Sequence, residues 1–179
     1  VPRTTTRSAC NGFVSGVAFN QDGLAMASMG IAADDADGDG RLDLYVTTFD
    51  NEASMLFLQQ ADALFVDAAT TAGLRAATWP YVGWGAQFLD ADLDGHSDLV
   101  SVNGHVDDYR DENGAYHMRP QFFRNLGRAR FEEPPADQTG EFFTRERLGR
   151  GLGRLDWNRD GLMDFVVSNM GERASLVLN

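Results

Sequence analysis

Eleven carboxylates of this chain fall into three short stretches that share one spacing. Asp35, Asp37, Asp39 and Asp43 hold positions 1, 3, 5 and 9 of Asp-Ala-Asp-Gly-Asp-Gly-Arg-Leu-Asp. Asp90, Asp92, Asp94 and Asp98 hold the same positions of Asp-Ala-Asp-Leu-Asp-Gly-His-Ser-Asp. Asp156, Asp160 and Asp164 recur in Asp-Trp-Asn-Arg-Asp-Gly-Leu-Met-Asp, with the amide of Asn158 at position 3. Carboxylates packed so closely repel one another, and a chain tolerates the cluster when a hard cation sits between them. Ca²⁺ suits it, because it accepts six to eight oxygens in flexible geometry, from carboxylates and backbone carbonyls alike. Gly40 supplies the sharp turn that aims successive oxygens inward. Position 7, Arg41 in the first loop, offers its backbone C=O, which leaves its side chain free to vary.

An EF-hand loop opens in the same way but requires an acidic ligand at position 12 and flanking helices. Position 12 here is Val46, Ser101 or Val167, and the flanks read as strands. Catalytic signatures are absent: there is no Gly-x-Ser-x-Gly, and nothing singles out a glycosidase-like pair among so many acids. The expectation is a binding or structural module and not an enzyme.

The 179 residues suffice for one sizeable core, and the formal net charge is −12. Three divalent cations would halve that charge, so the acidity belongs largely to the loops. No basic stripe exists to meet phosphates, which argues against nucleic acid. No apolar run approaches the ~18–20 residues of a membrane span. Cys10 is the only cysteine, so no intrachain disulfide forms. No signal peptide is evident, and Val-Pro-Arg-Thr-Thr-Thr-Arg reads as a cut point or internal segment. Loops of this kind need millimolar to micromolar Ca²⁺, which favours an extracellular or periplasmic location.

The elements that must position the loops are short strands. Val14–Phe19 and Leu24–Met29, joined by Asn20-Gln-Asp-Gly23, predict a hairpin. Gly30–Ala33 leads into the first loop and Leu42–Thr48 leaves it, alternating and β-branched. Strands are predicted at 54–59 and 63–68, then a connector over 69–74 with one helical turn ending at Gly73. The set restarts at Val82–Leu89, with strands at 99–102, 121–125 and 130–132. It starts a third time at 150–155, with strands at 163–168 and 175–178, and stops one strand short. The loops begin 55 and 66 residues apart. Periods of this size, with four short strands per unit, predict an all-β chain of consecutive four-stranded antiparallel β-propeller blades, about three in an incomplete propeller. The units divide as residues 1–29 (a leading segment and partial blade), 30–79, 80–149 and 150–179 (a partial blade). Gly83/Gly85 and Gly151/Gly153 precede two of the loops, and Gly30 the other. They fit inner strands crowded near an axis, where small residues permit close backbone approach.

The loop, the Leu44-Tyr-Val-Thr strand, the Leu56-Phe strand and Phe65-Val-Asp67 together resemble the FG-GAP/VCBS repeat, the blade unit of integrin α-chain propellers. Met29-Gly30, Gly83-Trp-Gly85 and Asn103-Gly-His-Val106 further resemble bacterial proteins that carry a propeller before an ASPIC/UnbV domain, a group similar to cartilage acidic protein. The resemblance covers about residues 13–179. It implies Ca²⁺ at about three sites, with side chains at positions 1, 3, 5 and 9 and the carbonyl at position 7. Carried over, these are Asp35, Asp37, Asp39, Arg41 and Asp43; Asp90, Asp92, Asp94, His96 and Asp98; and Asp156, Asn158, Asp160, Leu162 and Asp164. The neutral Asn158 implies that the third site is weakest. Family propellers close with about seven blades, so the chain is expected to be an excised fragment whose open ends invite self-association. An adhesive or structural role toward a protein or glycan ligand follows from the resemblance. The alternative is a fragment of a carbohydrate-active enzyme or lectin that uses the propeller face.

Two other stretches offer chemistry. The insertion Asn103–Gln121 carries His105, Asp107, Asp108, Asp111, Glu112 and His117, a second metal site or ligand loop if it is not a solvated excursion. Trp79, Tyr81 and Trp84 form either a sugar platform or packing between blades.

Overall fold

A computed structural model of the protein describes residues 11–61, 63–108 and 115–179. Three antiparallel sheets follow one another along the chain. The first is a meander of β1 (Ser28–Asp34), β2 (Asp43–Thr48), β3 (Met55–Ala61) and β4 (Leu64–Asp67). The second repeats that order with β5 (Gly83–Leu89), β6 (Asp98–Asn103), β7 (Gln121–Asn125) and β8 (Phe131–Glu132). The third has β9 (Gly149–Leu155), β10 (Asp164–Asn169) and β11 (Ser175–Val177). Among the described residues the sheets form no closed barrel. Short helical turns α1 (Gly12–Ser15), α2 (Leu74–Thr78) and α3 (Glu141–Thr144) sit in the connections.

The strands lie where β-branched and aromatic residues cluster. The second strand of each sheet is flanked by two others, and in the middle sheet, which packs on both neighbours, Asp98–Asn103 is buried at every position. The sheets stack face to face on two apolar seams. Between the first and second sheets lie Tyr45, Leu56, Phe88, Leu99, Phe123 and Phe131. Between the second and third lie Leu89, Val100, Val102, Phe143, Phe165 and Val167.

Two expectations are corrected. Asn20–Gly23 does turn, with Gly23 N–H donating to Asn20 C=O at 2.9 Å. No hairpin flanks it: Gly12–Ser15 is helical, capped by Asn11 Oδ1 on Phe13 N–H at 3.1 Å, and Val17 and Met26 cover the first sheet. Local capping and burial outweigh the turn signal. The helical turn near Gly73 follows that glycine instead of ending at it, because Gly73 takes a left-handed φ of 83° ahead of Leu74. Cys10 and the first residues lie outside the described residues.

The seams depend on glycine where the first strands β1, β5 and β9 meet. A Cβ on Gly30 would stand 1.9 Å from Trp84 C=O, and one on Gly85 would stand 2.4 Å from Leu152 N. Gly30 N–H donates to Thr47 Oγ1 at 2.8 Å, and that hydroxyl donates to Trp84 C=O at 2.6 Å, crossing the seam. Gly151 holds the same place in the third sheet, also bonded to the second strand (Ser168 Oγ, 2.8 Å), but no backbone of another sheet faces it. Gly30→Ala and Gly85→Ala are therefore expected to destabilise the chain by more than about 2 kcal/mol, and Gly151→Ala to stay within about 0.5 kcal/mol. Denaturant unfolding of the three variants checks this; equal losses at all three would contradict the seam geometry.

Candidate metal centres

Each acidic loop bridges the first and second strands of its sheet and closes on an antiparallel pair: Asp34 with Asp43, Leu89 with Asp98, Leu155 with Asp164. The three backbones turn alike. Position 6 is left-handed at Gly40, Gly95 and Gly161, with φ of 84°, 87° and 91°. Position 4 is left-handed too, at Gly38 (83°), Leu93 (61°) and Arg159 (62°). Leucine and arginine seldom adopt this conformation, and it costs each about 1–2 kcal/mol. Nothing in their identity signals it; only comparison with Gly38 in the first loop does.

Backbone amides hold the loop oxygens in place. Asp35 accepts from Gly38 N–H (2.8 Å), Asp39 N–H (3.1 Å) and Gly40 N–H (2.8 Å). Asp90 accepts from Asp94 N–H and Gly95 N–H at 3.1 and 3.0 Å, and Asp156 from Gly161 N–H at 3.2 Å. Position 3 accepts from the amide of position 5 in every loop: Asp37, Asp92 and Asn158, at 3.1, 3.3 and 3.1 Å. Position 5 accepts from the amide of position 7: Asp39, Asp94 and Asp160, each at 2.9 Å. At position 7, the Arg41 side chain donates to Gln59 C=O at 2.7 Å and pairs with Asp39, and the His96 ring lies against Gly127.

Position 9 is a different kind of residue. Asp43, Asp98 and Asp164 are all fully buried. Asp43 and Asp98 clamp their loops to the third strand of their sheets, and Asp164 clamps its loop to the residue two beyond β11. Asp43 accepts from Ala36 N–H at 2.9 Å and Gln59 N–H at 2.8 Å. Asp98 accepts from Ala91 N–H at 3.1 Å and Asn125 N–H at 2.7 Å. Asp164 accepts from Trp157 N–H at 2.8 Å and Asn179 N–H at 2.9 Å. Asn125 extends the clamp across the first seam, since its Nδ2 donates to Ala36 C=O at 2.9 Å and Ala129 N–H donates to the same carbonyl at 3.1 Å. Asn125 carries no sequence signal for this role.

Among the described residues, two acidic groups could hold a metal ion. Carboxylate oxygens of Asp35, Asp37 and Asp39 lie within 4.8 Å of one another, as do those of Asp90, Asp92 and Asp98. The first group thus unites positions 1, 3 and 5, and the second positions 1, 3 and 9. Arg124 pairs with Asp92 and offsets part of the second cluster's charge. In the third loop Asn158 Nδ2 donates to Asp160 at 2.6 Å, and Asp156 Oδ1 is buried without a hydrogen-bond partner. A buried carboxylate oxygen left unpaired is costly and fits a cation ligand.

Elsewhere, the insertion returns to the body: Met118 and Arg147 exchange backbone bonds of 2.9 and 3.0 Å, and buried His105 accepts Asp107 N–H at 3.0 Å. Asp111 and Glu112 lie outside the described residues. The three aromatic residues do not act as one surface. Trp84 packs in the second seam beneath the Arg150 guanidinium, 4.3 Å from the ring centre, and Trp79 stands on the surface.

Residues 35–101 match the family model of the FG-GAP-like repeat, a span from the start of the first loop, across one full period, into β6. No curated protein matches the chain.

Burial pushes the Asp98 carboxyl up to about 6, against the bonds from Asn125 and Ala91 N–H. Burial likewise raises Asp43, and burial together with the Asp39 charge raises Asp37. Asp164, with no further sheet over it, is held below the usual carboxylate value by the Asn179 amide. The raised group decides the sign near neutrality. Between about pH 4 and 6 the folded state binds more protons than the unfolded chain, so stability falls as pH rises through that window. In chelator the protein is expected to melt at a higher temperature at pH 5 than at pH 7. A lower melting temperature at pH 5 would contradict this description of the loops.

Proposed function

We propose that the chain is a segment of a calcium-stabilised, FG-GAP-type β-propeller, serving as a structural or adhesive binding module. The observation that carries the reading is the triple repetition of one loop geometry. All three loops share left-handed positions 4 and 6 and amide-held oxygens at positions 1, 3 and 5. The match of residues 35–101 to the FG-GAP-like repeat supports it independently. Stacked sheets of three or four antiparallel strands are compatible with propeller blades.

The residues that would hold the ion are Asp35, Asp37, Asp39 and Asp43; Asp90, Asp92, Asp94 and Asp98; and Asp156, Asn158, Asp160 and Asp164. The carbonyls of Arg41, His96 and Leu162 complete the sets. Each carboxylate oxygen that already accepts an amide keeps lone-pair capacity for a cation. A bound Ca²⁺ supplies positive charge where buried carboxylates repel, and the chain's own residues do the rest: amides orient the oxygens and position 9 ties them to the sheet. Because the unfolded chain lacks the site, binding is folding free energy, about 2.7 kcal/mol per site at a hundredfold excess over Kd. The calcium requirement supports an extracellular or periplasmic home. Gly83-Trp-Gly85 and Asn103-Gly-His-Val106 support a place among the propellers that precede an ASPIC/UnbV domain.

Calorimetric titration of the metal-free protein with Ca²⁺ tests the reading. A stoichiometry near three is expected, with the third site weakest, and Asp39→Ala should remove the first site alone. No binding heat, or equal loss at all sites in Asp39→Ala, would overturn it.

A further inference from the structure

Under the calcium reading, on which this inference rests, position 7 contributes a backbone carbonyl and its side chain coordinates nothing. The three loops fill the position differently, with Arg41, His96 and Leu162. Arg41 is the one basic residue between Gly30 and Asp43, and its guanidinium reaches back to the loop's own Asp39. The His96 ring lies against Gly127 instead, and a leucine carries no charge.

Two bonds fix the guanidinium. Its Nε donates to Gln59 C=O at 2.7 Å, and its Nη2 pairs with Asp39 Oδ2. Gln59 is itself held, because its N–H donates to Asp43 Oδ1 at 2.8 Å. The backbone amide of Arg41 takes the other oxygen, donating to Asp39 Oδ1 at 2.9 Å. One residue therefore engages both oxygens of the position-5 carboxylate. That carboxylate belongs to the group of Asp35, Asp37 and Asp39, whose oxygens lie within 4.8 Å of one another. A tethered guanidinium at the edge of such a group relieves the repulsion of the metal-free loop. It also competes with an incoming ion for the Asp39 oxygens and repels that ion. In the third loop, Asp160 Oδ2 receives the neutral amide of Asn158, at 2.6 Å.

We infer that Arg41 is an internal counter-cation of the first loop, tethered on Gln59, which holds Asp39 in the metal-free protein and sets the affinity of that loop for Ca²⁺. Binding exchanges the contact between Asp39 and the guanidinium for one between Asp39 and the metal. Position 7 thus tunes the site without supplying a side-chain ligand. The pair is partly open to water, with side-chain exposures of 42% for Arg41 and 25% for Asp39, so the effect is severalfold and not an on-off switch.

The experiment follows the amide signals of Gly40, Gly95 and Gly161 by NMR as Ca²⁺ is added to the whole metal-free chain, one glycine reporting each loop. In Arg41→Leu, which copies the residue of the third loop, the dissociation constant read at Gly40 is expected to fall by about two- to fivefold, the range that one exposed ion pair supports. The curves at Gly95 and Gly161 are expected to stay where they are. Arg41→Gln, which removes the charge and keeps a polar side chain, should behave alike. The ratio between variant and wild type should shrink toward one in high salt, because the competition is between charges; altered loop packing would not follow salt in this way. The gap in melting temperature between Ca²⁺ and excess chelator should widen in both variants. Unchanged binding at Gly40 in both variants would overturn the inference and leave the calcium reading standing. So would weaker binding, which would assign Arg41 to orienting Asp39. A response at none of the three glycines in the wild-type chain would overturn the calcium reading and the inference with it.

Discussion

The buried carboxylate at position 9 is the joint on which this architecture turns. An ionised carboxylate without partners is far too costly to bury, and each of these three is matched by two backbone amides from different elements. In the first two sheets one amide belongs to the loop and the other to the third strand, so one side chain fixes the loop's height over the sheet and the strand's register. In the first seam the same residue reaches further. Asp43 holds Ala36 through its N–H, and Ala36 C=O receives the Asn125 side chain and the Ala129 amide from the second sheet. An acidic loop is thereby tied to a neighbouring sheet through one residue's two backbone groups.

That arrangement brings a second constraint. Holding position 9 in place draws the remaining acids together over the loop, and their mutual repulsion has to be met. Arg41 and Arg124 meet part of it with exposed ion pairs, which contribute little in water. Burial, ahead of that repulsion, raises the carboxyls of Asp98, Asp43 and Asp37, and the neighbouring acids add to the rise. A cation would resolve the conflict without disturbing the amides, because each oxygen offers more than one lone pair. Sheet stacking is governed separately, by glycines whose missing side chains let one first strand lie against the next. The loops and the seams are thus two systems that meet at Ala36 and Asn125.

Much of this was legible in the sequence because it repeats at short range. The spacing of Asp35, Asp37, Asp39 and Asp43 announces an oxygen-rich loop, and Leu44–Thr48 announces the strand that follows. Gly30 and Gly85 were readable as points of close approach, since nothing else explains glycine in a strand. What the sequence hid was non-local or conformational. Asp43 looks like any other acid of its loop, and only the fold sets it apart as a clamp. Leu93 and Arg159 have no composition that marks a left-handed backbone. The Asn20–Gly23 turn is real, but Val14 before it sits in a helical turn because capping by Asn11 and packing on β4 decide the matter there. Asn125 gained its role through Ala36, 89 residues away in the chain.

Amide hydrogen exchange at Gln59 and Asn125, followed in Ca²⁺ and again in excess chelator, tests the central claim most directly. These two N–H groups donate to Asp43 and Asp98, so their protection reports whether the clamps depend on the charge held above them. If the loops and sheets form one calcium-linked unit, chelation should speed exchange at both amides by at least tenfold, alongside a fall in global stability. Unchanged protection at both amides would mean that the aspartate clamps stand alone and that the acidic loops are solvated turns.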